Sequence, residues 1–274
     1  MAATANSARD DWYRKLRANW RSGRTARRPF YRQCGLIARR HPAYLSASAR
    51  TIDSRVFVSH NHRYLFVRVP KCANTTILST LGLLERGHDA ADLAAMDEGE
   101  RKKILRKRNM KLEFVRPSEL DGATAKKVLA EYRKCIFVRN PFTRLASAYL
   151  HKVRAAAHAH HRGLSADMSF ASFCDYLADG GLHDNIHWFP QTSICPLSPA
   201  ELDFVGRFEN LADDLQALTR LIYGVSADAV TTKHRPTHAA DHVRALYTER
   251  EMRLVAELYA DDFNGFDYPA DRLS

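Results

Sequence analysis

Residues 63–78, RYLFVRVPKCANTTIL, constrain the fold more than any other stretch of the chain. Residues 64–69 are apolar and β-branched with Arg68 as the only charge, which is how a buried parallel strand reads. Pro70 ends that strand because it has no N–H for a ladder. Lys71, Cys72, Ala73, Asn74, Thr75 and Thr76 make a short polar loop, and Ile77, Leu78 and Leu81 then recur at helical spacing up to about Glu85. The expected unit is strand, tight loop, helix. Free N–H groups at the helix start and the positive end of its dipole favour an anion. Lys71 adds a point charge, and Thr75 and Thr76 add hydroxyl donors. The loop reads as a cradle for a phosphate-like group. It is not the triphosphate loop G-x-x-x-x-G-K-S/T, because no glycine lies between Val69 and Leu81.

A second unit repeats the pattern. Residues 134–138 read as a strand, Arg139-Asn140-Pro141 as a turn, and 142–157 as a long helix. Arg139 then stands at a strand's C-terminal end, where doubly wound sheets bind ligands. Ser147 lies about two turns into the helix, on a face that looks back toward Arg139. An arginine and a serine hydroxyl suit a second phosphate. Singly, Arg139 fits a capping ion pair and Ser147 fits close packing. Together with the first loop they fit a nucleotide carrying two separate anionic groups. A third strand over 204–208 feeds a helix over 211–223.

The remainder reads more plainly. The segment 55–59 is a short strand, with His60-Asn61-His62 as a turn. The alternating charges of 90–107 read as one or two exposed helices. Ser118 is the expected cap of a helix running to about Tyr132. Further helices are expected over 165–177 and 241–259, with Phe263, Phe266 and Tyr268 packing the tail. The stretch 183–199 is a loop rich in functional groups, including His183, Asp184, His187, Trp188 and Gln191. The first fifty residues are arginine-rich with scattered aromatics, and Asp10 to Trp20 fits a short helix. This arm is either a solvated basic surface or a patch that meets an acidic substrate or an anionic membrane.

The 274 residues carry a net charge of +11, which favours anionic partners. Five cysteines, at 34, 72, 135, 174 and 195, match no zinc spacing and suit a reducing, cytoplasmic compartment. No apolar run is long enough to span a bilayer, and the N-terminus does not read as a signal peptide. No metal is signalled.

PKCANTT followed by FVRNPFTRLASAY resembles the carbohydrate sulfotransferases of sulfotransferase family 2, which include the chondroitin and dermatan enzymes. His187-Trp188-Phe189-Pro190-Gln191, the stretch 203–211 and the D-F-x-x-F-x-Y ending of 259–268 agree in order. The resemblance implies an α/β fold: a parallel sheet flanked by helices, like that of the P-loop triphosphatases. It implies a sulfotransferase domain over 55–274 behind a basic extension over 1–54. It also implies 3′-phosphoadenosine 5′-phosphosulfate as donor. Lys71 to Thr76 would hold the 5′-phosphosulfate, and Arg139 and Ser147 the 3′-phosphate. Two departures are visible: secretory-pathway relatives carry a membrane anchor and luminal disulfides, and many relatives have aspartate where Asn140 stands.

Lys71 is expected to stabilise the bridging oxygen as the S–O bond breaks. His187 is the first choice of general base, with His183 and Glu209 behind it. Arg207 fits either the nucleotide or an ion pair with Glu209, and the basic loop 231–236, with Lys233 and Arg235, fits closure over the nucleotide or contact with an acidic acceptor. The expected acceptor is a glycan or lipid-linked sugar hydroxyl. Two alternatives remain: a nucleotide-dependent kinase, disfavoured by the missing triphosphate loop, and a basic nucleic-acid-binding protein, for which no recognised module is present.

Overall fold

The computed structural model describes residues 28–38, 49–89, 114–154, 164–225 and 239–272, with a few more between 92 and 100. The expectations for 10–20, for most of 90–107 and for 231–236 lie outside the described residues. In chain order the elements are α1 Pro29–Ala38, α2 Ala49–Asp53, β1 Val56–Ser59, β2 Tyr64–Val67, α3 Asn74–Glu85, α4 Gly122–Glu131, β3 Arg133–Val138 and α5 Pro141–Tyr149. There follow α6 Phe170–Ala178, α7 Gln191–Ile194, β4 Phe204–Arg207, α8 Leu211–Tyr223, α9 Ala239–Leu246, α10 Glu249–Leu258 and α11 Ala260–Gly265.

The four strands form one open sheet in the order β1-β2-β3-β4. β2, β3 and β4 are parallel, with Phe66 beside Cys135 and Phe137 beside Gly206. β1 runs antiparallel to β2, Val56 opposite Val67, so the sheet is mixed rather than wholly parallel. The reason is the short connection: 60–63 is long enough for a hairpin and far too short for a parallel crossover. β1 and β2 are buried along their full length, as their unbroken apolar runs require.

Several helix boundaries differ from expectation, each through a local hydrogen bond. Ser118 caps nothing; its N–H and hydroxyl both donate to the Asp53 carboxylate, and Pro117–Glu119 is a single 3₁₀ turn. Asp121 is the cap of α4, accepting from the Thr124 N–H at 2.7 Å. The helix expected over 142–157 is α-helical only to Tyr149 and continues as a π-turn over Leu150–Arg154. Ser169 caps α6, which therefore starts at Phe170. The closing helix is two helices, because Thr248 and Glu251 form a capping box that restarts the chain as α10.

Phe30 and Tyr31 of α1 are fully buried, and α1 packs on α4. The core thus takes in part of the segment read as a basic arm. Phe263, Phe266 and Tyr268 are buried as expected. Among the described residues, no helix is long and apolar enough to cross a membrane.

Candidate donor-binding and catalytic site

The three parallel strands end on the same edge of the sheet and deliver Lys71, Arg139 and Glu209 there. Between β2 and α3 the backbone turns sharply. Lys71 has φ 73° and Ala73 φ 50°, both left-handed without being glycine. Such a conformation costs about 1–3 kcal/mol per residue and persists only when its surroundings enforce it. They do. Asn74 Nδ2 donates to the Val69 carbonyl at 2.5 Å, Arg144 Nε to Pro70 at 3.0 Å, and Arg139 Nη1 to Lys71 at 3.3 Å. The left-handed turns gather N–H groups of the loop at the start of α3, where no side chain caps Ala73. Thr75 is exposed and Thr76 half-buried beside them.

Cys72 points away from this surface. Its Sγ lies 3.5 Å from Gln191 Oε1, and burial pushes its thiol up to about 12. It offers a ligand its backbone, not its sulfur.

Arg139 lies against the loop rather than at a distance from it. Its Nε donates to Thr143 Oγ1 at 2.9 Å, and its guanidinium stacks 4.0 Å from the centre of the Phe208 ring. Thr143 and Ser147 follow one another at helical i, i+4 spacing on α5, so the line Arg139, Thr143, Ser147 is continuous. Asn140 caps α5 by accepting from the N–H groups of Phe142 and Thr143, a role that asparagine and aspartate share.

Gln191 joins the two units. Its Oε1 accepts from the Arg139 N–H at 2.9 Å and its Nε2 donates to the Arg139 carbonyl at 2.8 Å. Its own N–H, the Thr192 N–H and the Thr192 hydroxyl all donate to the buried Asp262 carboxylate at 2.7–2.8 Å. Burial raises the Asp262 pKa against the opposing pull of Arg144 and these hydrogen bonds. Glu209 is a second bracket. It accepts from the Asn140 N–H at 2.8 Å and from the Tyr268 hydroxyl at 2.9 Å. Arg207 does not pair with it. Its Nη2 donates to the Phe266 carbonyl at 2.8 Å and its guanidinium lies 4.5 Å from the Tyr268 ring centre.

The site is strongly electropositive. Burial, then the charges of Arg139, Lys152 and Arg144, lower the Lys71 pKa to about 8. His187 is half-buried, and its Nδ1 has no hydrogen-bond partner among the described residues. Burial, then Lys152, Lys71, Arg55 and Arg144, lower its pKa to about 3, so the ring is neutral near pH 7. His183 sits nearby in edge contact with Phe189.

Three contributors were not singled out from sequence. Arg144 is fully buried and also donates to Phe189 at 2.8 Å, tying the Lys71 turn to the His187 segment. A charge between Phe142 and Leu145 in an otherwise apolar helix was its signal. Lys152 rides on the π-turn and had no local signature, whereas Asp262 is the aspartate of the D-F-x-x-F-x-Y stretch, its one signal.

Residues 54–269 match the family described as the sulfotransferase family. Among curated relatives, carbohydrate sulfotransferase 14 of Danio rerio is 29% identical over 245 residues, covering 80% of this chain and 64% of that protein. Carbohydrate sulfotransferase 8 of Mus musculus is 29% identical over 217 residues, covering 65% and 46%. The human carbohydrate sulfotransferase 14 is 27% identical over 252 residues, covering 82% and 63%. This chain thus spans between about half and just under two thirds of those relatives' length. No solved structure matches it. With the match running through every strand and loop described above, the chain belongs to the sulfotransferase family.

Proposed function

We propose that this protein transfers the sulfuryl group of 3′-phosphoadenosine 5′-phosphosulfate to a carbohydrate hydroxyl. The observation that carries the reading is the direct contact between Arg139 and the strained Lys71 loop, which makes one anion-binding surface from two strand ends. In this reading Lys71 to Thr76 hold the 5′-phosphosulfate through backbone N–H groups and the two threonine hydroxyls. Arg139 and Ser147 hold the 3′-phosphate. Arg207 contributes by fixing the C-terminal segment behind Glu209 rather than by touching the nucleotide. The names of the relatives support a glycan acceptor.

Sulfuryl transfer asks for in-line alignment and for positive charge on the leaving phosphate. Lys71 Nζ supplies the charge. His187 takes the acceptor proton: its ring is neutral, and donor anions bound beside it raise its basicity from the free value. The buried thiols, free among the described residues, support a reducing, cytoplasmic setting.

Labelled donor and a panel of oligosaccharides test the proposal. Lys71→Ala should lower turnover about 10²–10³-fold while weakening 3′,5′-bisphosphoadenosine binding far less. Equal turnover in the variant, or thermal stabilisation by ATP–magnesium but not by the bisphosphate, would overturn it.

A further inference from the structure

A second group of cations sits on the sheet edge next to the donor loop, and the chemistry above does not use it. Arg55 precedes β1 and Arg68 follows β2. The Arg68 N–H donates to the Arg55 carbonyl at 2.8 Å, which extends the antiparallel register and sets the two side chains opposite each other on one face. Val58 bridges Val115 across the other side of β1, so Arg116 stands opposite Phe57 on that same face, its guanidinium 5.1 Å from the ring centre. Three half-buried arginines therefore share one corner of the sheet.

Among the described residues none of the three makes an ion pair. Arg55 Nε and Arg68 Nε are buried without a hydrogen-bond partner. The nearby Asp53 carboxylate is taken by Ser118 and Tyr31, and Arg116 Nη1 donates to the Asp53 carbonyl instead, at 2.9 Å. Like charges facing each other across a strand pair are destabilising, and burial makes them more so. Arg55 is lowered to about 10 by burial and by the other two arginines, and Arg68 is lowered by burial and Arg116. Arg68 lies three residues before Lys71 in the chain, and the Arg55 charge is one of those that lower the His187 pKa.

We infer that Arg55, Arg68 and Arg116 form an oxyanion subsite that holds a carboxylate or sulfate group carried by the acceptor saccharide. Planar guanidinium forks pair with such groups through two parallel hydrogen bonds, and an anion there removes the mutual repulsion. The inference rests on the sulfuryl-transfer reading, and it makes the acceptor an acidic oligosaccharide oriented by its own charge.

Calorimetric titration of the full chain, with the donor site filled by 3′,5′-bisphosphoadenosine, separates the two. The probes are a uronate-bearing chondroitin hexasaccharide, a sulfated form of it, and a carboxyl-reduced neutral form. At least one acidic form should bind about tenfold or more tightly than the neutral one. Arg55→Gln and Arg68→Gln should each abolish that preference and leave bisphosphate binding unchanged, whereas Lys126→Gln on the outer face of α4 should not. Removing a repelled charge should also leave the melting temperature equal or higher. Equal affinity for charged and neutral forms, absence of binding by both acidic forms, or full affinity in Arg68→Gln would overturn the subsite. So would a lowered melting temperature, which would mark the arginines as structural. Failure of the wild-type protein to bind the bisphosphate would instead overturn the sulfuryl-transfer reading.

Discussion

Lys71 and His187 carry opposite expectations for pH. Lys71 is protonated in the free protein only below about pH 8. A bound anion favours its charged form and raises that value. Bisphosphate binding should therefore take up a proton near pH 8–9, and affinity should fall as pH rises through that range. Calorimetry in buffers of different ionisation enthalpy measures the uptake, and Lys71→Arg should remove it. His187 is neutral in the folded chain down to about pH 3 but titrates near its ordinary value when unfolded. Between those values the unfolded chain binds the extra proton, so this group's contribution to stability falls as pH drops from about 6.5 toward 3. Urea midpoints measured from pH 7 to 4 should fall less steeply in His187→Gln than in the wild type.

Elements meet here through buried polar clasps, and these are the points of fragility. Arg144→Met keeps the bulk of α5 but releases the Pro70 and Phe189 carbonyls, and should cost about 2–4 kcal/mol in urea denaturation while lowering donor affinity. Gly206 is fixed by its neighbour: a Cβ there would come within 2.5 Å of the buried Phe137 ring. Gly206→Ala should therefore lose about 1–3 kcal/mol by forcing β3 and β4 apart. The strand–loop–helix units were legible in the sequence because apolar runs and helical spacing are local signals. The span of α8, 211–223, was read correctly for that reason. The left-handed Lys71 and Ala73, the π-turn under Lys152 and the Gln191 clasp were not. The Lys71 turn and the Gln191 clasp depend on partners far along the chain, with Lys71 and Arg139 separated by 68 residues and Gln191 and Asp262 by 71.

For the molecule as a whole, the donor loop and its scaffold come from distant parts of the chain. In the proposed reading residues 71–147 supply the anion-binding groups, while Asp262, Phe266 and Tyr268 brace Gln191, Arg207 and Glu209 from behind. Asp262→Ala should leave three donors unpaired, lower stability by about 2–4 kcal/mol, and weaken bisphosphate binding even though it touches no ligand. Asp262→Asn, which keeps one carbonyl oxygen, should recover part of both. The same bracing sets an order of assembly during synthesis. A ribosome-bound chain that has exposed β2, β3 and α5 but not residues 259–268 would hold the proposed nucleotide contacts without the brace. Competence to bind donor should switch on only when those final turns leave the exit tunnel and dock.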